Sequence, residues 1–428
     1  MGPCTVGKGI EPLPLSRRNR LVLLARRALK ENRFLKFVPA SGAATRLFPP
    51  HYQIDSQLID LLGKDVNALL RRPKALIPFH RVGRSVRTAF EEHLWEASLG
   101  GVLKAHFTVS REFLVEFRRR GKQCVNQIEH ERGVRLQLSF SVQDPATQTL
   151  ALQEGREWAR EPNGELLLRP GGHGALLKNL EATKGDLVFI KNIDNVPSPR
   201  FQAEGNRWRM ALAGRLVEVQ TEAASWLRAL HARTPSAPSL RGAEEFLART
   251  IGPFGPVGSG WEDGRIGSLR SGEGKERLAR AVRLLDRPWR VCGMVRNMGE
   301  PGGGPFWVQG IDGARCQILE TSQLGKASKR FMGAATHFNP VEMVVGLRDW
   351  KGRPFRLALW SDLSQVLVST KKVEGREIRT LEHPGLWNGA MAHWNTLFME
   401  VPVHIFHPVK TISDLLRPGH APHSKKIK

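Results

Sequence analysis

The stretch KFVPASGAATRLF, residues 36–48, joins an extended apolar run to a turn of small residues and then to a cation. The apolar run begins at Phe34 and has the character of a buried strand, while residues 40–45 carry no bulky side chain. In open α/β sheets, ligands bind beyond the carboxyl ends of the strands, where small residues let backbone N–H groups approach a phosphate. The stretch therefore predicts either a phosphate-binding turn followed by Arg46 or a plain tight turn between a strand and a helix.

The composition is that of a globular protein with an unusual charge. The chain has 428 residues, 41% of them hydrophobic and 25% charged, and its formal net charge is +24. The electric field of such a positive net charge attracts polyanions, including nucleic acid. The arginines are scattered along the chain, however, and no alternation of aromatic and basic residues marks a nucleic-acid face. We interpret the charge mainly as general arginine usage, with an anionic ligand as a secondary cause, and we do not expect a nucleic-acid partner.

The cysteines and the apolar runs indicate a cytoplasmic protein. The four cysteines lie far apart and form no CxxC pair, which fits a reducing compartment and argues against a zinc ribbon. No stretch approaches the roughly 20 apolar residues of a membrane span. We therefore expect no membrane partner.

Extended and helical patterns alternate over the first half of the chain. Strands are predicted at 33–39, 105–110, 135–141, 165–170 and 186–194, and helices at 85–99, 111–120, 173–183 and 207–232. Further strands are predicted at 289–296, 305–309, 315–320, 341–347, 355–360 and 398–406. This alternation is typical of an α/β fold with a mainly parallel, mixed sheet flanked by helices.

A second cation strengthens the phosphate-binding interpretation of the first turn. Lys74 follows a proline in RPKALIPFH, and lysines in such runs are most often surface residues that bury only their stems. Together with PASGAATR, however, this pattern resembles the GxGTR…PK signature of nucleotidyltransferases that make nucleotide sugars.

Later motifs extend the resemblance in the same order along the chain. They are FSVQDP at 140–145, RPGGHGALLKNL at 169–180, VFIKNIDNV at 188–196 and HPVKTISDLL at 407–416. Each motif alone is also compatible with an ordinary turn, a helix cap or a surface lysine. The chain is also similar, through RVCGMVRNMGEPGGGPFWV, THFNPVEMV and LWNGAMAHWNT, to a family catalogued only as a domain of unknown function. This similarity implies a place near the nucleotide-diphospho-sugar transferases, and HPVKTISDLL closely resembles a stretch of their UDP-sugar pyrophosphorylase branch.

The resemblance implies a Rossmann-like fold of the GT-A nucleotidyltransferase type and a role for each motif. Catalytic cations would be Arg46, Lys74 and Lys410, and Asp194 would hold Mg²⁺. Nucleotide-binding residues would be Ala40, Ser41, Gly42, Ala43, Ala44, Thr45, Gln143, Gly172 and His173. Ala44 stands where relatives have glycine, so a positive φ at this position would strain the loop.

The remaining candidates come from the second half of the chain. Its densest glycine cluster could cradle a sugar phosphate, although a hairpin turn explains it equally well. The candidate sugar-phosphate residues are Gly302, Gly303, Gly304, Asn339 and Asn388. As a second carboxylate for the metal, Glu400 is preferred over Asp349 because it is predicted on a strand close to the last motif.

The composition and the resemblance together divide the chain into a catalytic unit and flanking segments. We expect an N-terminal helical arm at 1–30, a nucleotide-binding α/β half at 31–232, a flexible Gly/Pro-rich insertion at 233–275, a sugar-phosphate-binding half at 276–420 and a basic tail at 421–428. The predicted activity joins a nucleoside triphosphate, with UTP favoured, to a sugar 1-phosphate. A GT-A-type glycosyltransferase and a non-catalytic nucleotide or nucleic-acid binder remain as alternatives.

Overall fold

The computed structural model describes residues 2–44, 47–48, 55–63, 65–153, 157–252, 271–299, 302–310, 312–325, 328–373 and 376–420. In the first half, its elements are β1 (Gly2–Pro3), β2 (Thr5–Val6), β3 (Gly9–Glu11), α1 (Leu15–Lys30), β4 (Phe34–Pro39), α2 (Ser56–Leu62), α3 (Val66–Leu70), β5 (Pro78–Val82), β6 (Ser85–Thr88), α4 (Ala89–Leu99), β7 (Lys104–Val109), α5 (Leu114–Arg132), β8 (Gln137–Val142), β9 (Thr149–Gln153), β10 (Leu168–Arg169), α6 (Leu177–Ala182) and β11 (Leu187–Lys191). The second half contains α7 (Pro199–Leu230), α8 (Ala237–Ile251), α9 (Gly272–Leu285), β12 (Trp289–Arg296), β13 (Gly304–Gly310), β14 (Gly313–Leu319), α10 (Ser328–Gly333), β15 (His337–Phe338), β16 (Glu342–Gly346), β17 (Leu367–Val373), β18 (Arg376–Glu382) and β19 (Asn395–Glu400).

One large sheet organises the molecule. Its strand order is β2-β3-β19-β12-β16-β11-β4-β7-β8, with the short β15 paired to β12. Strand β16 runs antiparallel to both of its neighbours, while the other neighbouring pairs along this path are parallel. The prediction of a mainly parallel, mixed sheet flanked by helices is therefore confirmed.

The central strands read as continuous apolar runs because both of their faces are covered. In β4 and β11 nearly every side chain is buried, as expected for the interior of a sheet with helices on both faces. On one face, the long helix α7 packs against α1, and Gly214 lets the two approach closely because a Cβ there would overlap the Leu21 carbonyl.

A network of buried charges links the sheet to its helices. Lys36 of β4 and Lys191 of β11 donate to opposite oxygens of the Glu96 carboxylate, at 2.6 and 2.7 Å. Arg209 of α7 bridges Glu96 and Glu342, with both N–O distances at 2.7 Å. Burial lowers the pKa of Lys36 to about 7, against the opposing effect of Glu96. Since buried charges need partners, this network ties α4 and α7 to three central strands.

The first 30 residues are a helical arm only in part. Strand β1 pairs with β13, and Ile10 of β3 lies opposite Phe398 of β19 at one end of the large sheet. Helix α1 begins only at Leu15. The short Thr-Val and Gly-Ile-Glu segments extend existing sheets, so residues 2–11 are strand and turn rather than helix.

The predicted flexible insertion at 233–275 begins with a helix. The Ser236 side chain caps α8 by accepting a hydrogen bond from the Ser239 N–H, and a proline in the first turn fits a helix start. Leu240 and Phe246 of this helix are buried. The Pro/Ser-rich stretch therefore begins a packed helix, and the prediction was wrong for 237–251. Residues 253–270 and the predicted basic tail at 421–428 lie outside the described residues.

Three shorter predictions also differ from the structure. Residues 85–88 form β6 rather than the start of a helix, β10 is limited to two residues, and 357–360 form a short 3₁₀ helix. The four-stranded sheet β10-β9-β18-β17 was largely missed. None of the helices in the described part of the chain is both long enough and apolar enough to cross a membrane.

Candidate active site

The small-residue loop after β4 lies at the carboxyl edge of the large sheet. The Ala40 N–H donates to the Thr108 carbonyl at 2.8 Å, which ties the start of the loop to the end of β7. The Lys74 N–H donates to the Gly42 carbonyl at 2.9 Å, and the Ala44 N–H donates to the Arg72 carbonyl at 3.1 Å. The loop and the segment that carries Lys74 therefore lie side by side.

Three of the predicted residues meet beyond the end of β11. The ammonium groups of Lys74 and Lys410 both donate to Oδ2 of Asp194, at 3.2 and 3.0 Å. Backbone bonds fix the same arrangement, because the Val409 N–H donates to the Asp194 carbonyl at 2.9 Å. The Ile412 N–H also donates to the Leu47 carbonyl at 2.9 Å, so the last motif also contacts the first.

The Asp194 carboxylate is buried and held in its charged form. Burial alone would raise its pKa, but the charges of Lys410 and Lys74 outweigh burial and keep the pKa below its usual value. Its second oxygen, Oδ1, is buried and has no hydrogen-bond partner among the described residues. Asp194 therefore presents one oxygen to the two lysines and keeps the other available for a ligand.

The loop backbone is less unusual than its alanines led us to expect. The described residues with positive φ include neither Gly42 nor Ala44, so Ala44 adopts its buried position without backbone strain. A Cβ on Gly42 would meet no atom of the described structure within 4 Å, so the space beside this glycine is open. Thr45 and Arg46 lie outside the described residues.

The glycine-rich turn before α6 packs against the C-terminal end of β18 and the residues that follow it. Gly172 has φ +72°, and a Cβ there or on Gly174 would overlap Glu382 or the Pro384 carbonyl. His173 stacks on Trp387, with ring centroids 4.0 Å apart, and its Nδ1 accepts a hydrogen bond from the Leu386 N–H at 2.8 Å. The glycines are thus required for close packing, which orients the His173 ring.

Gln143 lies next to this turn. Its side-chain amide donates to Thr147 Oγ1 at 3.1 Å, and the Thr147 carbonyl faces His383 Nε2 at 2.9 Å. A Cβ on Gly171 would overlap both His383 and the Thr147 carbonyl. The FSVQDP segment that contains Gln143 and the predicted glycine turn therefore form one wall.

A cavity of about 430 Å³ lies between this wall, the edge of the large sheet and the four-stranded sheet. Predicted residues that line it are His173, Gly302, Gly303, Asn339 and Lys410. Gly304 begins β13 behind the cavity, and Asn388 is buried, with its amide donating to the Ile318 carbonyl at 3.1 Å. The structure therefore brings three of the predicted sugar-phosphate residues to one cavity with His173 and Lys410, whereas the described part of the small-residue loop, Gln143, Gly172, Gly304 and Asn388 are not among its lining residues.

Sequence reasoning missed two features of the cavity wall. Val341 has φ +56°, a left-handed conformation that costs energy for a β-branched residue, and the Asn339 side chain holds it by accepting from its N–H at 3.1 Å. The other wall is formed by Leu367, Ser369 and Glu382 of the missed sheet. The β-branched residues Val368 and Thr370 of β17 and Ile378 and Thr380 of β18 could have signalled these strands.

Glu400 does not join the Asp194 site. Its carboxylate lies 3.4 Å from His337 Nε2, and strands β12 and β16 separate β19 from β11. Three strand spacings are about 14 Å, a separation that two side chains do not bridge around one Mg²⁺. The other candidate, Asp349, follows β16 at the opposite edge of the sheet and bonds to Arg353.

The donor set fits Mg²⁺ only with one protein carboxylate. No group of three or more His, Cys, Asp or Glu residues suited to a metal occurs among the described residues. The unpartnered Oδ1 of Asp194 is a hard oxygen ligand. Mg²⁺ is commonly held by one or two carboxylates together with phosphate oxygens and water. Asp194 therefore fits as the single protein ligand of a Mg²⁺ that arrives with a phosphate.

Comparison with known proteins identifies a family. A family model described as a domain of unknown function (DUF4301) matches residues 1–61 and 51–421. The chain belongs to this family. No curated protein matches the chain.

Two solved structures are similar to the DUF4301 chain in fold. One is the uridine diphosphate N-acetylglucosamine pyrophosphorylase from Trypanosoma brucei in complex with an inhibitor, with 13% sequence identity and a TM-score of 0.53. The alignment covers 97% of this chain and 72% of the Trypanosoma chain. A putative UDP-N-acetylglucosamine pyrophosphorylase from Entamoeba histolytica has 10% sequence identity and a TM-score of 0.52. The alignment covers 94% of this chain and 81% of the Entamoeba chain. At these identities the similarity establishes the shared fold, as predicted from the motifs.

Proposed function

We propose that this protein is a nucleotidyltransferase that joins a nucleoside triphosphate, with UTP favoured, to a sugar 1-phosphate, giving a nucleoside diphosphate sugar and pyrophosphate. The observation that carries the proposal is the meeting of Lys74 and Lys410 on Asp194, next to the loop of small residues. Motifs that resemble those of nucleotide-sugar nucleotidyltransferases predict these three residues from sequence positions far apart.

The proposed reaction needs several cations in one place. A sugar phosphate oxygen attacks the α-phosphorus in line while pyrophosphate leaves, so two anions must be held together as charge builds on the bridging oxygens. Lys74 and Lys410 already lie within reach of each other, and the Asp194 carboxylate offsets their mutual repulsion. With substrates bound, their ammonium groups would turn from Oδ2 of Asp194 to phosphate oxygens.

Asp194 would then hold the metal. Bound through the free Oδ1 and phosphate oxygens, Mg²⁺ would supply further charge neutralisation at the α-phosphate. The chain itself orients the carboxylate: the Asp194 carbonyl accepts from Val409, and burial keeps water away from the side chain.

The loop at 40–45 would bind the triphosphate. The open space beside Gly42 lets a phosphate approach the backbone without meeting a Cβ. Arg46, from the motif resemblance, would bind the leaving pyrophosphate, and Gln143, Gly172 and His173 would face the nucleoside.

The cavity would hold the sugar phosphate. Lys410 lies in its wall and would contact the phosphate, while Gly302, Gly303 and Asn339 line its other side. A volume of about 430 Å³ is within the range of small-molecule sites.

The direct test is a screen of nucleoside triphosphates against sugar 1-phosphates with Mg²⁺, in which pyrophosphate and the product mass are followed together. We expect one pair to give stoichiometric pyrophosphate and a nucleoside diphosphate sugar. Transfer of a sugar from a ready-made nucleotide sugar, without pyrophosphate, would instead indicate a glycosyltransferase. Binding of duplex that ignores Mg²⁺ and falls steeply with salt, without any turnover, would replace the proposal by nucleic-acid binding.

A further inference from the structure

A short turn at 418–420, Pro-Gly-His, contacts all three segments that carry Lys74, Asp194 and Lys410. His80 follows Lys74 in the same segment, as part of β5, and its Nε2 lies 2.8 Å from His420 Nδ1. On the Asp194 side, the Ser198 N–H donates to the Gly419 carbonyl at 3.0 Å. His420 also donates from Nε2 to the carbonyl of His407, three residues before Lys410, at 3.0 Å.

The turn is buried and closely fitted. His420 and His80 are only 4% and 2% exposed, and their rings stack with centroids 5.1 Å apart. Gly419 lies against the His407 ring, where a Cβ would overlap Nδ1. Arg200, at the start of α7, donates to the Pro418 carbonyl. Because these contacts reach three different segments, the turn sets the distances between them.

The hydrogen bonds of His420 require a single tautomer. Since Nε2 donates to the His407 carbonyl, the proton of the neutral ring is on Nε2, and Nδ1 accepts from His80. Burial, and then the neighbouring His80 and His407 side chains, lower the pKa of His420 to about 3, so the ring stays neutral near pH 7. A neutral ring with one donor and one acceptor can hold both segments at once.

We infer that His420 is a positioning residue that fixes Lys74 and Lys410 at the separation needed to grip a pyrophosphate-sized anion, a role that rests on the proposed function. No sequence motif pointed to this residue. It does not touch the site itself. It acts through the backbone of His407 and through the segment that begins at Lys74.

The test uses the full chain and inorganic pyrophosphate with Mg²⁺ as the probe, measured by calorimetry beside turnover. For His420→Ala we expect a weaker pyrophosphate affinity, by about tenfold, and a kcat lower by about 10²-fold, as small misplacements of catalytic groups typically cause. Added imidazole should restore part of both, because it fills the vacated space with the same donor and acceptor.

Two conservative variants test separately the contact of His420 with His80 and its hydrogen bond to the His407 carbonyl. His420→Asn places an acceptor near the Nδ1 position and should keep the contact with His80, whereas His420→Gln should keep the donation to the His407 carbonyl. We expect each to retain more pyrophosphate affinity than His420→Ala. His404→Ala, an exposed histidine of the same stretch, is the matched control and should bind pyrophosphate as the wild type does.

The outcomes distinguish this inference from the proposed function. If the wild type and His420→Ala bind pyrophosphate equally, the positioning role is wrong while the proposed function stands. If His420→Ala loses affinity but imidazole restores neither binding nor turnover, with the thermal midpoint unchanged, the role is likewise overturned. A wild type that binds pyrophosphate without any turnover would contradict the proposed reaction alone. A wild type that neither binds nor reacts would contradict both.

Discussion

Lys74 and Lys410 donate to the same oxygen of one buried carboxylate, Oδ2 of Asp194, although one comes from the first quarter of the chain and the other from its end. Two ammonium groups this close would repel each other without the carboxylate between them. The carboxylate therefore holds two ammonium groups close together. A polyphosphate that took the place of Asp194 as their partner would contact both ammonium groups.

Replacing Lys74 by alanine should lower turnover by about 10²-fold or more, because it removes a charge that stabilises the transition state. The measurement is the rate of pyrophosphate release at saturating substrates. The matched control is Lys104→Ala, since Lys104 lies at the opposite edge of the sheet and donates to the Asn32 carbonyl. Unchanged turnover in Lys74→Ala, with a normal control, would remove Lys74 from the mechanism.

Arg46→Ala should have an effect of similar size, for a reason that comes from the motif resemblance. Arg46 would bind the departing pyrophosphate, so we expect the loss in kcat to be accompanied by weaker inhibition by added pyrophosphate. The rate and the inhibition constant check this together. An Arg46→Ala enzyme with wild-type values for both would show that the loop works without this cation.

Asp194→Asn should abolish activity in Mg²⁺. The amide keeps the shape of the side chain but is a poor Mg²⁺ ligand, and it leaves two lysines without their carboxylate. The check is a titration of turnover with Mg²⁺, alongside circular dichroism to verify the fold. Full activity of the variant would move the metal site elsewhere.

Glu96→Gln should destabilise the protein by about 3–5 kcal/mol, since it leaves Lys36, Lys191 and Arg209 with a single buried carboxylate. Chemical denaturation of both proteins measures the change in unfolding free energy. Glu129→Gln, at an exposed position on α5, is the control and should change stability by no more than about 0.5 kcal/mol. An equal effect of both substitutions would mean that the network contributes little.

The stability contributed by His106 should fall with pH. Its ring nitrogens each lie 2.8 Å from a serine hydroxyl, and burial lowers its pKa from 6.5 to about 4. Between these values the unfolded chain binds a proton that the folded protein does not, so folding becomes less favourable as the pH decreases. Relative to His106→Gln, the wild type should lose about 2 kcal/mol between pH 7 and 5. A constant difference across this range would contradict the burial effect.

Much of the fold followed from the sequence because parallel strands with two covered faces read as unbroken apolar runs, as in β4 and β11. The meeting of Lys74, Asp194 and Lys410 also followed from the order of the motifs. Glu400 was misassigned because the sequence does not show that two strands separate it from Asp194. The helix at 237–251 was missed because the prolines before and within its first turn are typical of a loop. The role of His420 was missed because its contacts join segments that are distant in the sequence.

The buried charges of the core also determine whether the protein could exist in two pieces. In a chain cleaved between α8 and α9, the N-terminal fragment would bury Lys36, Lys191 and Arg209 around Glu96 alone. The other fragment would bury Glu342 with no cation from this network. Neither fragment could dehydrate these groups by itself. Separately expressed halves should therefore remain unfolded until they are mixed, and fragment complementation would require both together.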